Sequence, residues 1–331
     1  METIELALAA DNGYFCGLFT TACSIAEFAS HEFSLSFNIL DGGIAVDNRQ
    51  ILEESIRKLH PHCTFRYFQI DDTTFSDFPS WHGSRMAYAR ILLPDLLPAK
   101  KWVVYCDVDF LWMRDISELW QERDESVAIL STPDGYEPTL REEESWFTKH
   151  DLPFSRATYF CSGLCVFNLD MFRKLGLSKR CIDILKMPGV MWVDQTALNA
   201  VTWDTRKLLP REIWQRFSFE LTQSDLDHGV VIHYAGEVPW KSKRLTFFMR
   251  DAFMLWHQYN AKYRGITTWR SLRTHFSAFE IVIHRLPCLV ARIPGVTAIL
   301  DIASICILRH PLSNISLRRL RHSVSRNIPQ R

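Results

Sequence analysis

Apolar residues come in short runs that stop at turn-forming residues, and the runs alternate with stretches of helical spacing. Ile4 to Ala9 is apolar and ends in AADNGY, whose Asp, Asn and Gly mark a turn. Gly17 to Ala29 repeats apolar residues at helical spacing. SLSFNIL, Ser34 to Leu40, alternates with period two and stops at Asp41-Gly42-Gly43. Ile51 to Leu59 reads as a charged amphipathic helix, Cys63 to Ile70 as a strand, Ser84 to Leu93 as a helix and Trp102 to Cys106 as a strand. Strands alternating with helices predict a mostly parallel sheet covered on both faces. In such sheets ligands sit beyond the carboxyl ends of the strands, where both AADNGY and CDVDF fall.

The middle of the chain is less regular. Val127 to Thr132 reads as a strand, and Pro133 to Pro153 as a polar loop covering something beneath it. Tyr159 to Leu169 is strand-like, and Met171 to Met187 is helical. A short helix opens at Asp194, and Val230 to Gly236 is a buried strand. No internal repeat or low-complexity segment is present.

Composition changes this picture at the C-terminal end. The 331 residues are 47% hydrophobic with a formal net charge of zero, enough for a sizeable core. Residues 264 to 331 nevertheless hold eleven Arg, no Lys and two acids, Glu280 and Asp301, a formal +9 that leaves −9 on the rest. This predicts a basic appendage facing an anionic surface. Phe279 to Leu308 is apolar but interrupted by His284, Arg285, Arg292 and Asp301. Its longest stretch free of Arg and His spans 16 residues and contains Pro294-Gly295, short of the roughly 20 apolar residues a spanning helix needs. An interfacial helix pair over Phe279 to Leu308, flanked by Arg and resting on anionic lipid, is the expectation, with packing of Ile281 to Leu308 on the catalytic body as the alternative. Nucleic acid is a poor fit, because the basic residues sit in an apolar tail without a stacking platform. Nine cysteines without a CxxC pair read as buried thiols in a reducing compartment. METIELALAA lacks the basic start of a signal peptide. The expected location is therefore cytoplasmic, peripheral on the inner face of the membrane.

The chemistry is concentrated in VVYCDVDFLW, Val103 to Trp112, an apolar run that ends in two acids. On an extended chain Asp107 and Asp109 leave the same face, roughly 6–7 Å apart. Two such charges repel, and each loses hydration worth several kcal/mol in a partly buried place. A hard divalent cation between them removes both costs. The second such pair, Asp225 and Asp227, lies in the polar run LTQSDLDHG and reads as a solvated turn.

Six motifs occur in order: AADNGY, RMAYARILLPDLLP, VVYCDVDFLW, YFCSGLCVFNL, VDQTALN and VIHYAG. Together they resemble glycosyltransferase family 8, the retaining enzymes that use UDP-galactose or UDP-glucose. The likeness is strongest to the bacterial members that extend lipopolysaccharide or lipooligosaccharide cores, and it covers about the first 245 residues. The resemblance implies an α/β, GT-A-like Rossmann-type nucleotide-sugar-binding domain with a mixed, mostly parallel sheet over residues 1–250. A basic, apolar helical membrane-associating tail would follow over 251–331.

The resemblance further implies Mn²⁺ or Mg²⁺ held by Asp107, Asp109 and His233, with open positions for the diphosphate. Asp11 would accept a hydrogen bond from uracil and Tyr14 would stack on it, with Gly236 lining the nucleotide. Arg90 would reach the diphosphate and sugar. Asp194 would bind sugar hydroxyls, and Gln195 would stand on the β face of the anomeric carbon. Two departures stand out. HYAGEVPWKS is one residue short of the family's His-x-x-Gly-x-x-Lys-Pro-Trp, so Lys241 or Lys243 would have to replace the diphosphate lysine. Cys161 stands where many relatives have Asn, leaving Ser162 as the substitute contact to the donor sugar.

The reading is metal-dependent, retaining transfer of galactose or glucose from UDP to a hydroxyl of a glycan or glycolipid acceptor. Its competitors are a glycoside hydrolase, whose paired acids need neither metal nor UDP, and a non-catalytic UDP-sugar-binding protein at the membrane surface.

Overall fold

The computed structural model describes residues 1–80, 84–236, 238–241 and 250–275. Lys243, the apolar segment Ile281 to Leu308 and the Arg-rich C-terminus therefore lie outside the described residues. One compact unit runs from Met1 to Ser271, past the boundary of 250 read from the sequence. A second unit takes in Leu272–Arg331.

The first half alternates as expected. Strand β1 (Glu2–Ala10) leads through a 3-10 turn (Asn12–Tyr14) into α1 (Phe15–Phe28); β2 (Phe33–Asp41) leads into α2 (Val46–Leu59) and β3 (Cys63–Gln69). Met86–Leu92 is a 3-10 helix within the helix read over Ser84 to Leu93, and α3 (Leu93–Leu96) continues it. Then come β4 (Trp102–Cys106), β5 (Phe110–Trp112), α4 (Ile116–Gln121), β6 (Ile129–Pro133), α5 (Glu137–Lys149) and β7 (Phe160–Asn168). The remaining elements are α6 (Leu169–Leu175), α7 (Leu177–Leu185), α8 (Val193–Val201), β8 (Arg206–Leu208), α9 (Arg211–Trp214), β9 (Arg216–Phe217), α10 (Gln223–His228), β10 (Val231–His233), α11 (Arg250–Tyr263) and α12 (Thr268–His275).

Seven strands form the main sheet in the order β3-β2-β1-β4-β7-β6-β8. Pairing is parallel from β3 through β4 and between β6 and β8, while β7 runs antiparallel to both neighbours. The sheet is mixed and mostly parallel. Alternate residues of β1 feed opposite faces: Ile4, Leu6 and Leu8 pack beneath α1, and Ala7 and Ala9 face the other layer. Each fully buried Leu or Phe contributes about 1.5–3 kcal/mol. A second sheet, β5-β10-β9, stands at the carboxyl end of β4, because the chain leaves the main sheet at Cys106 and enters β5 at Phe110. α11 packs on α1: Asn260 donates to Thr20 Oγ1 at 2.8 Å and Tyr263 to Glu27 Oε2 at 2.6 Å.

Three sequence expectations change. The polar loop over Pro133 to Pro153 contains α5, with Pro138 in its first turn and a buried face of Thr139, Leu140, Glu143, Trp146 and Phe147. The single helix over Met171 to Met187 is two, because Gly176 takes φ 60° and ends α6. The supposed turn at Asp225 is the start of α10, where Thr222 and Asp225 cap each other reciprocally.

Candidate active site

The carboxyl ends of β1, β4, β6 and β10, the amino end of the antiparallel β7 and the start of α8 converge on one region. Asp107-Val108-Asp109 is the link between the two sheets, so the two acids lie on a turn and not on one strand face as expected. Thr21 of α1 anchors that turn, its hydroxyl 2.8 Å from the carbonyl of Val108 and 2.7 Å from that of Phe110. Gly17, one helical turn earlier, is required by close approach. A Cβ there would meet the Trp240 ring at 2.4 Å and the Val108 carbonyl at 2.6 Å.

Asp109 faces His233 from β10. Its Oδ1 lies 3.5 Å from Nε2, is buried, and has no hydrogen-bond partner among the described residues. The imidazole stacks on Phe110 at 4.2 Å between centroids. Gln215 supplies an amide nitrogen 3.1 Å from Nδ1. Burial would lower the pKa of His233, but the Asp109 carboxylate outweighs it and holds the ring at about 10. Asp107 lies on the other side. A Cβ added at Gly163 would stand 3.2 Å from Asp107 Oδ2 and 3.1 Å from His233 Cε1, tight enough to push on both side chains.

Arg90 is buried beneath the acids. Its Nη2 donates to Asp107 Oδ1 at 2.7 Å, its Nε lies 3.1 Å from Asp194 Oδ2, and its Nη1 donates to the Ser162 carbonyl. The Tyr105 ring lies 4.2 Å from the guanidinium. Tyr105 also donates its hydroxyl to Asp107 Oδ1 at 2.7 Å. Burial raises the pKa of Asp107 to about 6 against the opposing pull of Arg90. Asp194 is likewise raised by burial.

Asp194 and Gln195 open α8 after Val193, which takes φ 42°, a costly conformation for a β-branched residue. Ser162 donates its hydroxyl to Asp194 Oδ2 at 3.0 Å and its N–H to Gln195 Oε1 at 3.0 Å. Gln195 Nε2 donates to Asp134 Oδ2 at 2.9 Å and to Tyr159 Oη at 3.3 Å. The Gln195 amide is thus hydrogen-bonded at both ends. Cys161 lies within hydrogen-bonding reach of His233. Asp134, Tyr159, Glu143 and Gln215 were missed in the sequence. Only Asp134 carried a signal, since it follows the apolar run VAILST in a Pro-Asp-Gly turn at a strand's carboxyl end.

The nucleotide end lies beyond β1. Asp11 Oδ1 accepts the Tyr14 N–H at 3.0 Å. Tyr14 meets Trp240 edge to face at 6.2 Å, and Lys241 places its ammonium 3.4 Å from the Tyr14 ring centroid. Burial lowers the pKa of Lys241, opposed by Asp11. Gly236, with φ 85°, turns the chain out of β10 toward these residues. The site thus brings Asp107, Asp109 and His233 together in one cluster, with Arg90, Asp194, Ser162 and Gln195 braced behind them.

These donors suit a divalent cation. Two ligand atoms each about 2.0–2.2 Å from a common ion stand roughly 3–3.5 Å apart, and the Asp109–His233 separation falls at the upper end. As placed, no three His, Cys, Asp or Glu side chains among the described residues enclose an ion, since Asp107 turns one oxygen to Arg90.

Solved structures with this fold define the class. The bifunctional glycosyltransferase WbbM aligns with TM-score 0.67 and 19% identity over 83% of this chain, which spans about half (52%) of WbbM. The galactosyltransferase LgtC, solved with donor and acceptor sugar analogues, aligns with TM-score 0.62 and 21% identity, covering 78% of this chain and 96% of LgtC. The protein has a GT-A-like glycosyltransferase fold, a class that uses nucleotide-sugar donors and usually a divalent metal.

The sequence pattern of Glycosyl transferase family 8 matches residues 5–244, and the chain belongs to that family. General stress protein A of Bacillus subtilis is 26% identical over 82% of this chain and 96% of its own length. Lipopolysaccharide 1,3-galactosyltransferase of Salmonella typhimurium is 23% identical over 73% of this chain and 74% of its own. No helix among the described residues is long and apolar enough to cross a membrane.

Proposed function

We propose that the protein transfers galactose or glucose from a UDP-sugar to a hydroxyl of a glycan acceptor, with retention and with Mn²⁺ or Mg²⁺. The acceptor is a lipopolysaccharide core or a related surface glycolipid. One observation carries the reading: the pairing of β5 with β10 brings a buried, unpartnered Asp109 oxygen to 3.5 Å from His233 Nε2, with Asp107 two residues earlier at the end of β4.

Asp107, Asp109 and His233 would hold the cation, whose charge stabilises the UDP leaving group. Asp11 Oδ2 accepts the uracil N–H, and the Tyr14 ring receives the base. Lys241, standing over that ring, swings to the diphosphate and replaces the family's displaced lysine. Asp194, held by Arg90 and Ser162, fixes sugar hydroxyls at the mouth of the site. Gln195 has its amide oxygen committed to the Ser162 N–H, which argues against attack by that oxygen on the anomeric carbon. This supports front-face transfer, in which the departing phosphate oxygen takes the acceptor proton and Gln195 shapes the β face. The Arg-rich C-terminal residues, 272–331, would keep the enzyme peripheral on anionic membrane, beside its lipid-linked acceptor.

The test is UDP release across UDP-sugars with and without Mn²⁺. UDP-galactose or UDP-glucose should be turned over only with metal, and EDTA should abolish release. Metal-independent turnover, or no affinity for UDP by calorimetry, overturns the proposal. Gln195→Ala should lower turnover and leave UDP affinity nearly intact.

A further inference from the structure

Glu143 belongs to none of the six motifs and touches none of the groups assigned to donor or metal, yet it is completely buried on α5. Among the described residues two hydroxyls hold its carboxylate. Oε2 accepts from Tyr159 at 2.7 Å, and Oε1 accepts from Thr196 of α8 at 2.9 Å. Burying a carboxylate against neutral partners carries a desolvation cost of several kcal/mol, which an apolar residue at this helix position would not carry. What the acid does that an apolar residue cannot is accept those two protons.

The consequence passes through Tyr159. A phenol has one proton, and Tyr159 gives it to Glu143, so its oxygen meets the rest of the site with lone pairs alone. Gln195 must then face it with an N–H, and its Nε2 lies 3.3 Å from Tyr159 Oη. The other hydrogen of that nitrogen goes to Asp134 Oδ2 at 2.9 Å, while Oε1 takes the Ser162 N–H at 3.0 Å. Backbone support is separate. Asn199 Nδ2 donates to the Gln195 carbonyl at 3.0 Å and to the Phe160 carbonyl at 2.8 Å, and its Oδ1 accepts the Phe160 N–H at 3.0 Å. Asn199 thus joins α8 to β7 without Glu143, and what Glu143 governs is the side-chain amide. A proton on Glu143 leaves this intact: carried on Oε1 and donated to the Thr196 oxygen, it lets Oε2 go on accepting from Tyr159.

We propose that Glu143 is a positioning residue for the transfer reaction, holding the Gln195 amide at the β face of the donor sugar through the Tyr159 hydroxyl. The proposal rests on the role given to Gln195 above. It gives α5, which covers this side of the site, a task in the chemistry beneath it.

The experiment uses the full chain with Mn²⁺ and UDP-galactose or UDP-glucose. Glu143→Met removes the acceptor. Glu143→Gln keeps one, since its amide oxygen can take the Tyr159 proton and its nitrogen can donate to Thr196. Trp146→Phe is the control: it loosens α5 elsewhere by removing the bond from the indole N–H to the Pro188 carbonyl. Glu143→Met should lower kcat about 10- to 100-fold and leave the donor KM within about threefold, the pattern of a misplaced group at the reacting carbon. Glu143→Gln should return kcat to within about threefold of wild type, and Trp146→Phe should stay in that range. In a Gln195→Ala chain, Glu143→Met should cost no more than about a further twofold, because a residue acting through Gln195 has nothing left to position. Wild-type kcat in Glu143→Met, or its full loss repeated in the Gln195→Ala chain, overturns the proposal. Should Glu143→Met fail to fold, Tyr159→Phe breaks the same link and is read in the same way.

A second readout is independent of turnover. The side-chain amide hydrogens of Gln195, identified in ¹⁵N NMR by their loss in Gln195→Ala, should exchange with water about 3- to 10-fold faster in Glu143→Met and Tyr159→Phe, the worth of one lost hydrogen bond. Glu143→Gln and Trp146→Phe should leave that exchange unchanged. If the wild-type chain releases no UDP from either sugar, the transfer reading falls, and the amide exchange decides whether Glu143 holds Gln195; equal exchange in all the chains overturns it.

Discussion

The hydroxyl of Thr21 lies within 2.8 Å of the carbonyl oxygens of Val108 and Phe110, the residues on either side of Asp109. One side chain of α1 therefore fixes the backbone turn that carries both acids. Thr21→Val keeps the shape and removes the donor, leaving two buried carbonyls short of a partner. Stability to urea should fall by about 1–3 kcal/mol, Mn²⁺ affinity should fall with it, and Thr21→Ser should restore both.

Arg90 bridges Asp107 and Asp194 from a fully buried position. Arg90→Met removes the shared cation and strands two carboxylates, a change that costs about 3–5 kcal/mol in comparable buried pairs. Arg90→Lys keeps the charge but cannot reach both acids and the Ser162 carbonyl, since it lacks the planar fork. Denaturant unfolding should order the three chains wild type, Lys, Met. Equal stability of all three would remove Arg90 as a brace.

Glu143 gives the site a pH dependence of defined sign. Burial, opposed by donation from Tyr159 and Thr196, raises its pKa from 4.5 to about 7. The folded chain then holds this proton more tightly than the unfolded one, so stability falls as pH rises from 4.5 to about 7 and levels off above. The full effect is about 3 kcal/mol. Burial also raises the pKa values of Asp134 and Asp107, which add the same sign. Glu143→Gln should therefore flatten, and not abolish, the decline measured by denaturant unfolding at pH 5 and pH 8.

Lys241 rests on the face of the Tyr14 ring. A base stacking there must displace it, and the diphosphate is the nearest use for its charge. Lys241→Ala should weaken UDP by about 10- to 100-fold, the worth of a charged hydrogen bond, and leave uridine unaffected or bound more tightly. Calorimetry with both ligands separates the effects. An equal loss for UDP and uridine would show a packing role only.

The strands that build the sheet were legible because β4 is an unbroken apolar run, while β2 alternates apolar with small polar residues and stops at Asp41-Gly42-Gly43. α5 was not, because Thr139 and Glu143 lie on its buried face and break the apolar period. The identities of Asp107, Asp109 and His233 were visible as motif residues. Their surroundings were not: Arg90 could be seen as a cation, but its partners are fixed only when β4, β7 and α8 meet. Gln215 left no trace in the sequence, since its neighbour is set by the pairing of two very short strands.

The bracing by Arg90 has a consequence for how the enzyme rests between turnovers. Its guanidinium offsets charge on Asp107 and Asp194 before any cation arrives, so the emptied pocket is not left to repel itself apart. A chelator should then strip the ion without melting the chain, and adding it back should restore turnover with no refolding lag.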